Sequence, residues 1–194
     1  MTAPTKLTLV RFGVTFLIMA LLFVPGWIAK SAALACFLFA GLTDWLDGYL
    51  ARRWRQVTPL GALLDPIADK VLVLGILLAF VQLRLVPAWM VLLMMLREFL
   101  ITGVRAFALS RGIVLSAAKE GKHKTVSQML TIFVILASLI IQEGAGPQGV
   151  PRQTWLVMRG AILGCLWATM ILTVYSGAMF FWRHRVALKE ALTR

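Results

Sequence analysis

Apolar and polar positions along this chain occur in long blocks rather than alternating residue by residue. Six apolar blocks each approach the roughly 20 residues that cross a bilayer as an α-helix. Proline and glycine mark the breaks, at Pro25-Gly26, Thr58-Pro59, Val86-Pro87 and the segment EGAGPQGVPRQ. The pattern predicts six helices, over residues 7–24, 31–52, 60–83, 86–109, 126–142 and 155–182.

The composition agrees with a membrane protein. Of the 194 residues, 60% are hydrophobic, and the mean hydropathy of +0.86 exceeds that of ordinary soluble domains. Short connections favour packing between consecutive, oppositely directed helices. We therefore expect an all-α integral membrane protein, with six transmembrane helices in an antiparallel bundle and a single domain over residues 1–194.

The net charge of +12 predicts topology rather than a nucleic-acid partner, because the basic residues lie in short loops and at helix ends. If six helices alternate, most basic residues fall on one side, which the positive-inside rule places in the cytoplasm. Both termini and the second connection are then cytoplasmic, in a multi-pass protein of the cell (inner) membrane. Few basic residues fall on the other side, namely Lys30, Arg84 and Arg152.

The chain has four aspartates, all within one window. Asp44 and Asp47 are three apart near the end of the second predicted helix, and Asp65 and Asp69 are four apart near the start of the third. Residues three or four apart share a helix face, so a tight hairpin would bring the four carboxylates together. Carboxylates near hydrocarbon are costly, so such a group needs compensating cations.

Three interpretations of the aspartates follow from the spacing. Hard oxygen ligands without histidine or cysteine favour Mg²⁺ or Mn²⁺, and four carboxylates suffice for two ions that clamp a transferring phosphoryl group. The carboxylates could instead pair with arginine and lysine, or form an ion or proton pathway. A pathway predicts polar groups farther along both helices, whereas residues 33–39 and 71–81 are apolar apart from Gly75.

The aspartates belong to a longer pattern, Asp44-x-x-Asp47-Gly48-x-x-Ala51-Arg52, eight further residues, and Gly61-x-x-x-Asp65-x-x-x-Asp69. This segment, residues 44–69, resembles the signature of the CDP-alcohol phosphotransferase family at every fixed position. The resemblance implies a six-helix membrane enzyme, usually a homodimer, with its active site at the cytoplasmic ends of helices 2 and 3. Such enzymes transfer a substituted phosphate from a CDP-linked donor to an alcohol and release CMP.

The resemblance also implies roles for the signature residues. Asp44, Asp47, Asp65 and Asp69 would bind two Mg²⁺ or Mn²⁺ ions, and Asp69 would also be the general base for the acceptor hydroxyl. The pocket for the cytidine diphosphate donor would be lined by Gly48, Ala51, Arg52 and Gly61.

Other segments resemble the phosphatidylglycerophosphate synthase branch of this family. REFLITGVRAFALSRG and SAAKEGKHKTVSQM are similar to its fourth and fifth helices, and PTKLTLVRF to its amino-terminal pattern. Thr5 stands where that branch commonly has asparagine, so Thr8 and Arg11 are the expected donor-binding residues there. The implied reaction transfers a phosphatidyl group from CDP-diacylglycerol to glycerol 3-phosphate, and membrane lipids surround the enzyme.

Glycerol 3-phosphate carries a dianionic phosphate and needs cations near the aspartates. We expect these from Arg105 on the fourth helix and from Lys122 and Lys124 at the start of the fifth. Arg97 and Glu98 are adjacent on the fourth helix and do not share a face, so we expect each to find a partner on another helix rather than in the other.

Overall fold

The computed structural model describes the backbone of residues 3–54, 59–113, 115 and 120–193, and the side-chain surroundings of residues 10–43, 68, 70–113, 115, 123–146 and 148–189. These described residues form six α-helices, one short 3₁₀ turn and no strand, which confirms the predicted all-α class. The helices are α1 (Ala3–Phe23), α2 (Trp27–Trp54), α3 (Pro59–Gln82), α4 (Ala88–Ser110), α5 (Glu120–Gly144) and α6 (Arg152–Thr193), with the 3₁₀ turn at Gly146–Gln148.

The helix boundaries lie close to the predicted proline and glycine breaks. Between α1 and α2, Gly26 adopts a φ of +106°, a conformation that glycine enters without steric cost. Pro87 is the N-cap of α4 in an extended conformation, where its missing N–H leaves no helical hydrogen bond unmade. The breaks in the sequence therefore fix where these helices begin and end.

Four helices are longer than the apolar blocks predict, and α5 and α6 exceed them most. α5 begins at Glu120 rather than near residue 126, and α6 continues to Thr193 rather than ending near residue 182. The last segment, RHRVALKEALT, has no proline or glycine and is rich in strong helix formers. The end of an apolar block therefore predicts where hydrocarbon contact stops and not where the helix ends.

The helices α1 and α5 hold α2 and α3 in place. α1 packs on both α2 and α3, α5 packs on α2, α3 and α6, and α4 packs on α3 and α6. Fully buried side chains fill the centre, namely Ile18, Ile76, Leu77, Phe80, Met94, Ile132 and Leu136. The predicted antiparallel order of the helices stays a prediction.

Small residues allow two of these contacts to be close. A methyl group at Gly41 on α2 would lie 3.5 Å from Cε of Met129 on α5, in van der Waals contact. A methyl group at Gly75 would lie 3.2 Å from Cγ2 of Thr15 and 3.3 Å from Sδ of Met19, closer than ordinary van der Waals contact. Gly75 therefore sets how near α3 comes to α1.

Two stretches in the described part of the chain are long and apolar enough to cross a membrane, His123–Gly144 and Arg152–Lys189. Three shorter apolar stretches, Val10–Phe23, Trp27–Thr43 and Lys70–Gln82, lie on α1, α2 and α3. Helix α4 carries three charged residues in its apolar sequence, Arg97, Glu98 and Arg105. These charged groups interrupt the apolar sequence of α4, and Glu98 among them is buried.

Candidate functional site

The four aspartates lie on two helices, as predicted. Asp44 and Asp47 belong to α2, and Asp65 and Asp69 belong to α3. Because both helices are continuous through these positions, each pair keeps the spacing that puts two residues on one face. The aspartate side chains lie outside the described residues, and so do those of Thr8, Gly48, Ala51, Arg52, Gly61 and Lys122. Their roles stay predictions.

Four basic side chains from three helices lie near one another, and one of them, Lys70, directly follows Asp69 in the sequence. They are Lys70 on α3, Arg97 and Arg105 on α4, and Lys124 on α5, and we call them the basic cluster. Lys70 is close enough to Arg97 and Arg105 to interact electrostatically with both, and Lys124 interacts in the same way with Arg97 and Lys70. Two of the predicted acceptor residues, Arg105 and Lys124, therefore belong to one group of cations.

Glu98 is the carboxylate that holds part of the basic cluster in place. It is buried on α4, its Oε1 lies 3.1 Å from Nη1 of Arg97, and the same oxygen forms an ion pair with Lys124 of α5. Buried charges need such partners, because an unpaired buried charge is costly. Within the described residues, Glu98 pairs with two of the four cations of the basic cluster, so the cluster carries an excess of positive charge.

The contact between Arg97 and Glu98 corrects the expectation that these neighbours would not meet. Adjacent residues point to different sides of a helix, but the long arginine side chain reaches back to the carboxylate. Partners on other helices exist as well, because Nη2 of Arg97 donates a hydrogen bond to Oγ of Ser176 on α6 at 3.0 Å and Glu98 pairs with Lys124. The two residues are thus both mutual and cross-helix partners.

A cavity of about 230 Å³ opens beside the cluster. Its polar lining consists of Lys70, Glu98, Lys124, Thr125 and Gln128. Gln128 is buried, and its Nε2 has no hydrogen-bond partner among the described residues. A buried amide donor without an acceptor is destabilising, so this cavity is suited to a ligand that brings an acceptor oxygen.

Arg105 is held by an aromatic ring rather than by a carboxylate. Its guanidinium carbon lies 5.3 Å from the centroid of Phe180 on α6, within the range of a cation–π contact. Its Nε is buried and has no hydrogen-bond partner in the described part of the chain. The stacked ring fixes the guanidinium and leaves a donor for an anion.

Arg11 is the one predicted donor-binding residue with a described side chain. It is buried on α1, and its backbone carbonyl accepts a hydrogen bond from Oγ1 of Thr15 at 2.8 Å. A buried arginine on the helix that packs on both aspartate helices is consistent with the expected contact to a phosphate. Its role toward the donor stays a prediction.

Sequence reasoning missed three contributors to this region: Lys70 and Arg97 as cluster members, and Gln128 in the cavity. Lys70 adjoins the signature, and Arg97 lies inside an apolar block, where charged residues indicate function. Both positions could have been recognised from the sequence. Gln128 could not, because a glutamine near a helix start is commonplace and only the packing of α3, α4 and α5 buries it.

A divalent metal fits the aspartates on chemical grounds. Their four carboxylates are hard oxygen donors, and each pair stands on one face of a continuous helix. Among the side chains that the structure describes, no group of three histidine, cysteine, aspartate or glutamate residues offers another metal site. The aspartates therefore remain the candidate ligands.

Comparison with known proteins places this chain in a family. A family model described as CDP-alcohol phosphatidyltransferase matches residues 1–175, so the chain belongs to the CDP-alcohol phosphatidyltransferase family. Members of this family are membrane proteins and transferases, and they generally use divalent metal ions. The predicted family is thus confirmed, as is the predicted enzyme class.

Several relatives carry the name CDP-diacylglycerol--glycerol-3-phosphate 3-phosphatidyltransferase. One from Bacillus subtilis is 34% identical over 200 residues, covering 97% of each chain. One from Cereibacter sphaeroides is 36% identical over 161 residues, covering 78% of this chain and 70% of its own. One from Rickettsia typhi is 30% identical over 178 residues, covering 92% of this chain and 94% of its own.

Proposed function

We propose that this enzyme transfers the phosphatidyl group of CDP-diacylglycerol to glycerol 3-phosphate, giving phosphatidylglycerol phosphate and CMP. The observation that carries the proposal is the basic cavity beside Lys70, the residue that follows Asp69 of the signature. Its volume of about 230 Å³ is below the roughly 300–1,000 Å³ of sites for drug-sized ligands. It suits a small phosphorylated alcohol, and the names of the relatives point to the same acceptor.

The chemistry follows from two neighbouring groups of opposite charge, the aspartates of residues 44–69 and the basic cluster that begins at Lys70. Two divalent ions held by Asp44, Asp47, Asp65 and Asp69 would neutralise the donor diphosphate and polarise the phosphorus that is attacked. Gly48, Ala51, Arg52 and Gly61 would line the donor pocket, with Thr8 and Arg11 contacting the donor from α1. The basic cluster would bind the phosphate of the acceptor and present its free hydroxyl.

In the reaction, the 1-hydroxyl oxygen of glycerol 3-phosphate attacks the lipid-bearing phosphorus of the donor. Asp69 accepts the proton of that hydroxyl, a new oxygen–phosphorus bond forms, and the bond from that phosphorus to the oxygen of CMP breaks. Arg97 and Arg105 each have a buried Nε without a hydrogen-bond partner in the described part of the chain. We assign the acceptor phosphate to Arg105, because its guanidinium stacks on Phe180 rather than pairing with a carboxylate. Lys124 is shared with Glu98, and Lys122 would add a third cation.

We also propose the location that the charge pattern predicts. Both termini and the site at one end of α2 and α3 would face the cytoplasm, in the cell (inner) membrane, and the chain would form a homodimer. An ion pathway through α3 is disfavoured, because beyond Lys70 its described side chains Leu72, Ile76, Leu77 and Phe80 are buried in the apolar core.

The proposal is tested by supplying purified protein with CDP-diacylglycerol, Mg²⁺ or Mn²⁺ and competing alcohols. We expect glycerol 3-phosphate to be consumed and CMP released in equal amounts. Consumption of serine, inositol phosphate or phosphatidylglycerol in its place would overturn the acceptor and leave the family intact. Tracer flux into liposomes without any lipid turnover would favour a transporter instead.

The Gln128→Leu variant tests whether the side-chain amide of Gln128 binds the acceptor or stabilises the fold. The substitution removes an amide whose Nε2 has no partner, so the folded protein should be no less stable than the wild type. The Michaelis constant for glycerol 3-phosphate should rise about twofold to tenfold, since a hydrogen bond from a neutral donor contributes about 0.5–1.5 kcal/mol. Unfolding midpoints and acceptor titrations measure the two effects, and a loss of stability with an unchanged Michaelis constant would contradict this assignment.

Arg105→Gln should raise the Michaelis constant for glycerol 3-phosphate about tenfold to a hundredfold, because a hydrogen bond to a charged group contributes about 1.5–3 kcal/mol. Arg111→Gln, at the C-cap of the same helix, is the matched control, since its guanidinium carbon also lies over a ring, 5.5 Å from the centroid of Phe107. Acceptor titrations at saturating donor compare the two variants. Equal effects would assign Arg105 to general surface charge.

A further inference from the structure

A second and larger cavity, of about 750 Å³, lies at the opposite end of α3 from the signature. It is formed by the connection from α3 to α4, the end of α5 and the start of α6, and its lining includes Arg84, Gln142, Trp155 and Arg159. Arg84 follows Asp69 by 15 residues, so at 1.5 Å per helical residue the two positions are about 20 Å apart along the axis. The reaction proposed above makes no use of this cavity.

The backbone at Arg84 is unusual. Arg84 lies two residues beyond the end of α3, has a φ of +58° and is the only described non-glycine residue with positive φ. The N–H of Leu85 bonds to the carbonyl of Phe80, and that of Arg84 to the carbonyl of Val81, both at 2.9 Å. These two bonds define a Schellman motif, whose left-handed position is usually glycine.

The sequence therefore retains arginine where glycine would relieve backbone strain. The other described positive-φ positions are all glycine, namely Gly26, Gly112, Gly146 and Gly149. Strained residues persist at sites where the side chain has a use. Arg84 lines the cavity, and its guanidinium is the group that glycine at this position would lack.

Among its described lining residues the cavity has two arginines and no carboxylate. The guanidinium carbon of Arg159 lies 5.1 Å from the ring centroid of Trp155, and no acidic residue lines the cavity. Glu143, beside Gln142 in the sequence, accepts a hydrogen bond from the N–H of Gly26 at 3.0 Å and lies 3.9 Å from Nζ of Lys30. Within the described residues, Arg84 and Arg159 have no carboxylate partner.

We propose that this cavity binds one anionic phospholipid, with its phosphate on Arg84 and Arg159 and an acyl chain along the apolar lining. Guanidinium groups match phosphate oxygens in geometry and charge, and tryptophan residues such as Trp155 favour the headgroup level of a bilayer. Leu85 and Ile162 are among the apolar side chains of the lining. They complement an acyl chain, which free phosphate lacks.

The test is lipid-dependent thermal unfolding of the full chain in a nonionic detergent. Added phosphatidylglycerol should raise the unfolding midpoint of the wild type saturably, because a ligand that binds only the folded state stabilises it. Phosphatidylcholine with the same acyl chains should raise it far less. Arg84→Gly should start from a higher midpoint, since the strain is gone, yet need at least about tenfold more phosphatidylglycerol.

Arg159→Gln should show the same loss of lipid response without the higher starting midpoint. Arg185→Gln is the matched control, because Arg185 stacks on Trp182 of the same helix, with its guanidinium carbon 5.3 Å from the ring centroid, and does not line the cavity. It should keep the wild-type response. An unchanged response in Arg84→Gly and Arg159→Gln, an equal effect of phosphatidylcholine, or full protection by inorganic phosphate alone would each overturn the proposal.

Discussion

Replacing Asp69 by asparagine is expected to lower kcat about a hundredfold to ten-thousandfold, the range that a positioned general base contributes. Asparagine keeps the size of the side chain and one oxygen, but it cannot accept the proton of the acceptor hydroxyl. Binding of CDP-diacylglycerol should be largely retained, because three aspartates of the signature remain. Turnover and donor binding are measured separately, by CMP release and by equilibrium binding of the labelled donor.

Asp47→Ala is the comparison that makes the Asp69 result specific. Without this carboxylate a predicted metal ligand is lost, so binding of Mg²⁺ or Mn²⁺ and of the donor should weaken together. A titration with either ion at fixed donor would shift to higher concentration in Asp47→Ala. If both variants showed the same mild loss of turnover and of donor binding, the separate roles assigned to the two aspartates would be wrong.

Glu98→Gln is expected to lower the stability of the enzyme by about 3–5 kcal/mol, the usual result of leaving a buried charge without its partner. The carboxylate of Glu98 pairs with both Arg97 and Lys124, and both it and Lys124 are buried. Glutamine leaves two neighbouring cations without a countercharge. The thermal unfolding midpoint in detergent measures the change.

The double variant Glu98→Gln, Lys124→Met decides whether this loss is electrostatic. Methionine removes the ammonium and fills similar apolar volume, so stability should recover in part, as expected for two groups that interact. Acceptor binding should stay weak, because the variant lacks one of the proposed phosphate ligands. Additive losses from the two substitutions would show that Glu98 and Lys124 act independently.

The number and approximate position of the helices could be predicted because their determinants are local. Pro25, Thr58-Pro59 and Pro87 lie at breaks in the apolar pattern, and α1, α2, α3 and α4 begin and end near them. The family was recognisable for a related reason. The signature has fixed gaps on two helices, and helical periodicity alone sets which of its residues share a face.

Other features were not predictable because they depend on partners distant in sequence. The hydrogen bond from Arg97 to Ser176 requires α6 to pack on α4. The side-chain amide of Gln128 is buried without a hydrogen-bond partner only because α3, α4 and α5 enclose it. The continuation of α6 to Thr193 has a local cause, the strong helix propensity of its last residues. It was not predicted because the prediction ended the helix where the apolar block ends.

The sequence by itself determined the helical class, the family and the carboxylate pairs at residues 44–69, because composition, breaks and periodicity act over a few residues. Only the tertiary structure decided which cations pair with Glu98, which buried amide is left without a partner, and that Arg84 and Arg159 line one cavity. Those outcomes depend on burial and on charges brought close across helices. Both are properties of the packed bundle, in which a group's neighbours are set by how the helices pack rather than by its position along the chain.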